Sequence, residues 1–324
     1  MPSGPPYDTL SAYQLFKGPL AAQTPADGVM PYDVVSTLYA DGAGKFRFLS
    51  IPKGTKIHFD PSARWDFPDG TMAIKTFFYE LDPANPGTKR QLLETRILRK
   101  SGGLWSANTY LWNDAQTEAN RFVAGQLLHI QFVDGTGVDY QVPSTSVCRT
   151  CHGQDSTIVP LGPRTRQLNR LHDYGNGPEN QLTHLATLGW LDAALPSLDT
   201  VEQMSDPHGM DSVDARARSY LEANCSHCHN PQGFAASTNL RLDILSPQPI
   251  NYGVCKTPVA AGPAAGTDKY DIVPGHPELS IVVRRLSSND PMVKMPPLPL
   301  TTVDSFGVDL ISQWVTGMTF AACP

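Results

Sequence analysis

Two pentapeptides constrain this chain more than any other feature: Cys148-Arg149-Thr150-Cys151-His152 and Cys225-Ser226-His227-Cys228-His229. Each reads C-x-x-C-H, the pattern by which a c-type haem is covalently attached. Two thiols three positions apart sit about one helical turn from each other, so both can reach the vinyl groups on one porphyrin edge. The His that follows offers an imidazole nitrogen to the iron. A chain carrying two such groups has to fold around large flat cofactors that replace part of its side-chain core. The two copies account for four of the six cysteines.

Zinc and a redox dithiol are the competing uses of C-x-x-C. Two such pairs together supply four thiolates, but the copies start 77 residues apart, at 148 and 225. That is far beyond zinc-ribbon spacing, and zinc gives no reason for a His after the second Cys in both. A thioredoxin-like pair wants one motif opening a helix after a strand, and no such context precedes either copy. Two covalent haems c, with their iron, are therefore the expected cofactors.

The remaining composition fits that expectation. The chain has 324 residues, enough for two or three domains, and 29 prolines with 26 glycines point to many turns. A formal net charge of −6 argues against nucleic acid as partner. Redox partner proteins of basic or mixed charge fit better. No apolar run is long enough to span a membrane, and Met1-Pro2-Ser3-Gly4-Pro5-Pro6 lacks the basic and apolar regions of a signal peptide. Covalent haem is attached outside the cytosol, so the expected location is periplasmic or otherwise exported, the export signal having been removed. A lipid anchor on that removed segment stays open. The two remaining cysteines, Cys255 and Cys323, are expected to form a disulfide.

Along the chain, residues 1–28 read as an entry segment, with a short helix over Leu10–Phe16. Residues 29–146 read as a β-domain. Lys45–Ile51, Thr55–Phe59, Met72–Tyr79, Leu92–Leu98, Ser106–Trp112, Leu127–Val133 and Val138–Val142 are apolar or alternating runs separated by Gly, Pro and Asp turns. Strands at this spacing imply an antiparallel sandwich or barrel. His58 and His129 lie in these runs as hydrogen-bonded structural residues. Residues 147–210 form a first haem-binding segment. Its Arg164, Arg166 and Arg170 either meet haem propionates or form a solvated basic face, and a helix over Asn180–Leu191 places His184, Leu188, Leu191 and Leu195 on one side.

From residue 211 the pattern sharpens. Asp211 or Ser212 caps a helix through Tyr220 and Leu221 that runs into Cys225. Thr302-Val303-Asp304 opens another, with Phe306, Leu310, Ile311, Trp314 and Val315 on its apolar side, and the two helices can pack Tyr220 against the Trp314 face. Between them lies the Pro-stiffened loop Val293-Lys294-Met295-Pro296-Pro297-Leu298, with Met295 sixty-six residues after His229.

These features make residues 211–319 resemble a class I cytochrome c domain: an N-terminal helix, C-x-x-C-H, a Met-Pro loop and a C-terminal helix bearing Trp. The stretch Asp271–Ser280 is also similar to segments that precede the Met loop in bacterial members. The whole chain resembles exported dihaem c-type cytochromes with an N-terminal β-domain. Phe67-Pro68-Asp69-Gly70-Thr71, Leu93-Glu94-Thr95-Arg96, Trp112–Thr117 and Tyr220–His229 carry that likeness. The resemblance implies a multidomain α+β chain: an antiparallel β-sandwich or barrel-like domain, then mostly α-helical c-type cytochrome domains, with residues 211–324 as the second haem domain. It also implies electron transport by a metal-binding, haem-bearing protein.

The ligand set follows. Cys148 and Cys151, and Cys225 and Cys228, hold the porphyrins, and His152 and His229 lie beneath the irons. Met295 matches the family's sixth-ligand position at the second haem, with Met292 as its competitor; a thioether there raises the reduction potential relative to two imidazoles. For the opposite face of the first haem His184 is the choice. Met204 and Met210 come next, then His208, with His172 and Lys75 as outsiders. The leading functional expectation is single-electron transfer between redox partners, without catalysis. The alternatives are a dihaem peroxidase-like enzyme with an open first haem, and an electron-transfer subunit of a larger complex.

Overall fold

The computed structural model describes residues 5–155, 157–246 and 249–324. The chain divides into two units. One comprises Met1–Val35, Ala43–His152 and Ser156–Gln203; the other comprises Ser36–Gly42, Gly153–Asp155 and Met204–Pro324.

The first unit is built on a six-stranded antiparallel meander, β1 (Val29–Pro31), β2 (Gly44–Ser50), β3 (Met72–Glu80), β4 (Arg90–Ser101), β5 (Leu104–Trp112) and β6 (Ala119–Phe122), each strand paired with the next. Between β4 and β5 the loop is only Gly102-Gly103, both with positive φ, the backbone that a two-residue hairpin turn requires. A separate hairpin, β7 (Gln126–Gln131) with β8 (Gly137–Val142), follows.

Side-chain alternation gives the sheet two different faces. One buries Phe48, Ile74, Ile97, Tyr110 and Trp112 against Leu10 and Leu15 of the entry segment. The other begins with Met30, Leu49 and Ala73. These pack on Ile57, Phe59, Trp65 and Phe67, and on Leu168 of α2 (Thr165–Leu168) and Leu182 and Leu185 of α3 (Gln181–Thr187). Further along this second face the pairing sets Arg47, Lys75 and Arg96 directly side by side on three adjacent strands. Beyond them Tyr140 of β8 lies 6.1 Å from Phe77.

The second unit rests on two packed helices, α4 (Val213–Asn224) and α6 (Ser305–Thr316), with the shorter α5 (Ile281–Leu286) between them in sequence. Ser212 Oγ accepts from the Ala215 N–H, and Asp304 Oδ1 accepts from the Gly307 N–H, so both helices start on side-chain caps. Tyr220, Leu221, Leu310, Ile311, Trp314 and Val315 form the shared core. Trp314 Nε1 donates to Asp214 at 2.8 Å, and the Tyr220 hydroxyl donates to Asp304 at 2.9 Å. Cys255 and Cys323 are disulfide-bonded, 68 residues apart.

The fold class expected from the sequence needs correcting on two counts. The β-domain is an open meander with one added hairpin, neither a two-sheet sandwich nor a closed barrel. Nor is the rest mostly α-helical: the structure is 22 % helix and 25 % strand, and among the described residues there is no extensive helical cytochrome-type domain. The cause lies in the sequence between His229 and α6. Pro231, Pro249, Pro258, Pro263, Pro274, Pro277, Pro296 and Pro297 each lack a backbone N–H, and that stretch folds as turns and single 3-10 turns around α5. Two smaller expectations also fail. Leu10–Phe16 gives only the 3-10 turn Ser11–Tyr13, and Thr55–Phe59 makes isolated bridges at Ile57 and His58 in place of a strand.

Candidate cofactor-attachment sites

In the first unit Cys148-Arg149-Thr150-Cys151-His152 is a single helical turn, α1 (Cys148–His152). Neither thiol is in a disulfide. Burial pushes both above the ordinary thiol value, opposed chiefly by the Arg96 guanidinium, with the Lys75 amine adding to it. The turn therefore lies within electrostatic reach of the cationic row on the sheet. His152 Nδ1 is 2.8 Å from the Val159 carbonyl oxygen. A carbonyl only accepts, so Nδ1 carries a proton and Nε2 is the nitrogen left for a ligand. That is the arrangement a metal-ligating imidazole adopts when its other nitrogen donates to a backbone carbonyl.

The row itself is unevenly compensated. Arg47 pairs with Asp33 at 2.8 Å. Arg96 is held by Glu94, Nε to Oε2 at 2.8 Å, and the Tyr140 hydroxyl also donates to this fully buried carboxylate. Lys75, between the two arginines, has a cation–π contact with the Phe77 ring at 5.1 Å. Burial, then Arg96 and Arg47, lower its pKa to about 7.

His184 lies elsewhere in the first unit. Its Nδ1 meets Glu179 Oε2 at 2.8 Å, and its ring stacks on Tyr174 with centroids 3.6 Å apart. His172 packs edge-on against the same Tyr174. Met204 is buried within the second unit, Met210 is 99 % exposed, and His208 stacks on Phe306. Arg166 is buried on Glu202, and Arg170 donates to the Val34 carbonyl, so neither forms a solvated basic face. His58 and His129 pair with Asp192 and Asp139.

In the second unit α4 ends at Cys225, and the motif turns back on itself. The His229 N–H donates to the Cys225 carbonyl, and Asn230 Nδ2 donates to the Ser226 and His227 carbonyls. Gly233 closes this turn where a Cβ would fall 2.3 Å from the Cys228 carbonyl oxygen. Burial, then the neighbouring Cys228, push the Cys225 thiol up to about 12. His229 is held neutral, its pKa lowered to about 4 by burial and then by Arg285, Arg241 and Lys256. Thr238 Oγ1 donates to the Ala235 carbonyl and lies 3.2 Å from His229 Nδ1. Its proton being spent, it accepts from Nδ1–H, and again Nε2 is the nitrogen left for a ligand. Of the three cations, Lys256 is paired with Asp271 at 3.0 Å, which leaves Arg285 and Arg241 to favour a bound group with carboxylate arms.

Met295 and Cys225 line one cavity, together with Tyr220, Leu286 and Leu300. The Met295 N–H donates to the Arg285 carbonyl, and Arg285 Nε to the Val293 carbonyl, so α5 anchors the Met loop. Met292 is 79 % exposed.

The expectation of a metal-binding centre is corrected: among the described residues no group of three or more His, Cys, Asp or Glu side chains could hold a metal ion. A porphyrin supplies four donors of its own and asks the chain only for axial ligands. The imidazoles of His152 and His229, each held through Nδ1 beside paired thiols, fit that demand.

Sequence reasoning missed Val159, Thr238 and the cationic row. The row had a readable signal, a cation at the second-face position of three consecutive strands. The two acceptors had none, since a carbonyl is common to every residue and a threonine nine positions on is unremarkable. No protein-family model, curated protein or solved structure matches this chain.

Proposed function

We propose that this chain is a dihaem c-type cytochrome that passes single electrons between redox partners. The carrying observation is that both motif histidines hold Nδ1 against an oxygen acceptor beside a pair of thiols: His152 on Val159, and His229 on Thr238. A haem held there supplies a reversible one-electron couple. The chain's own part is to anchor, orient and exclude water. Cys148, Cys151, Cys225 and Cys228 provide the thioether attachments, and none of them is spent in the disulfide. Met295, on its α5-anchored loop beside Cys225, is the sixth ligand proposed for the second site.

The Cys255–Cys323 disulfide supports an oxidising, exported location. No helix among the described residues is long and apolar enough to cross a membrane. The test is the intact mass and pyridine haemochrome count of protein exported through a c-type maturation system. Two covalent haems are expected, and bare polypeptide overturns the reading. Met295→Ala is expected to abolish the iron–thioether charge-transfer band of one haem while leaving the count at two.

A further inference from the structure

β1 and β2 are antiparallel neighbours, yet twelve residues, 32–43, join them. A hairpin connection of about 2–5 residues would do. Seven of the twelve, Ser36–Gly42, belong to the second unit. There they meet both segments that carry the second attachment site. On one side is Asn224, the last residue of α4 and the one before Cys225. Its Oδ1 accepts from the Tyr39 N–H at 2.7 Å, and its Nδ2 donates to the Thr37 carbonyl at 3.2 Å. On the other side is the chain that leaves the Met loop. Asp41 Oδ1 accepts from the Thr301 N–H, the Thr302 N–H and the Thr302 hydroxyl, each at 2.9 Å. The Thr302 proton being spent there, its oxygen accepts from the Tyr39 hydroxyl at 2.7 Å. Tyr39 also shares one cavity wall with Cys225 and Met295. Asp41 and Asn224 are buried, so breaking these bonds would leave polar groups away from water. Asp41 holds φ at +51°, a left-handed backbone that a non-glycine residue seldom adopts.

We infer that Ser36–Gly42 is a strap for the second site. Tyr39 and Asp41 are its positioning residues: they hold the Met loop against the Cys225 end of α4 and thereby favour Met295 as the ligand. This rests on the dihaem reading above and on Met295 as the sixth ligand there. The loop is fixed at two places. α5 holds it at the Met295 N–H and the Val293 carbonyl. The strap holds it at Thr301 and Thr302, six and seven positions after Met295. A loop tied on both sides has less freedom left to lose when its thioether binds, so the strap lowers the entropic cost of ligation. By linkage, whatever displaces the thioether must loosen the strap in return.

The test titrates the ferric protein, its two haems counted by pyridine haemochrome, with cyanide while following the iron–thioether charge-transfer band. Tyr39→Phe removes only the hydroxyl. Asp41→Gly removes the acceptor and takes the positive φ without strain. Cyanide is expected to displace the thioether with about tenfold higher affinity in Asp41→Gly, which loses bonds to a charged group, and about fivefold higher in Tyr39→Phe, which loses a neutral one. The spectrum of the other haem is expected to stay unchanged. Parental cyanide affinity in either variant overturns the inference. Hydrogen exchange of the unmutated protein gives the answer even where the variants do not mature. Cyanide is expected to speed exchange in residues 37–41 as well as in 299–303, and unchanged exchange in 37–41 overturns the strap. A parent protein without covalent haem, or without the thioether band, defeats the reading of the second site itself. The haem count and the unmutated spectrum separate that outcome from failure of the strap.

Discussion

Gly307→Ala tests the close packing of α6 on α4, the helix that leads into Cys225. A Cβ at Gly307 would stand 2.1 Å from the Tyr220 hydroxyl oxygen and 2.4 Å from Cζ. Tyr220 is only 5 % exposed and has little room to retreat. Overpacking of this kind costs about 2 kcal/mol. Moving the ring also breaks the Tyr220–Asp304 hydrogen bond, and a bond to a charged acceptor is worth about 2 kcal/mol. Alanine's better helix propensity returns about 1 kcal/mol, leaving a net loss of about 3 kcal/mol. Urea unfolding, followed by far-ultraviolet circular dichroism, measures it. Tyr220→Leu removes the ring, so Gly307→Ala should cost little in that background, giving a coupling above about 1 kcal/mol in the double-mutant cycle. A Gly307→Ala protein as stable as the parent, or strictly additive costs, would refute the close packing.

Cys323→Ser opens the 68-residue closure and is expected to cost about 4 kcal/mol in denaturant unfolding under non-reducing conditions, with no effect on haem count. Glu94→Gln leaves Arg96 without its carboxylate and weakens the Tyr140 contact; a loss of roughly 3 kcal/mol is expected from thermal unfolding. The hydrogen bond and then the charge of Asp192 raise the pKa of His58 above its ordinary 6.5. Between 6.5 and the raised value the folded chain therefore binds more protons than the unfolded one. The pair's contribution is full below pH 6.5 and fades as pH rises through the folded value. His58→Asn should remove that slope from a melting-temperature profile across neutral pH.

Much of the local structure was legible. The caps at Ser212 and Asp304 start α4 and α6 as the spacing predicted, because a capping side chain and a 3.6-residue apolar period act within one segment. Most of the strands could also be placed, since period-two alternation is equally local. The number of sheets was not legible: alternation says that one side of a strand is buried and nothing about what buries it. The same runs thus read as a sandwich, whereas the entry segment, α2 and α3 cover the faces. His184 was picked because leucines share its helix face, but Tyr174 and Glu179, ten and five positions before it, engage its ring.

What the sequence alone determined is therefore chemical: which thiols and imidazoles form repeating units, which cysteines are spare, and where helices begin. Only the tertiary structure decided which acceptor orients each imidazole. It also decided that Lys75 stands between two arginines. For the cationic row the reason is strand register, which pairs residues 28 and 21 positions apart. The imidazole acceptors are only seven and nine positions on, but which carbonyl or hydroxyl a turn presents depends on how that turn packs.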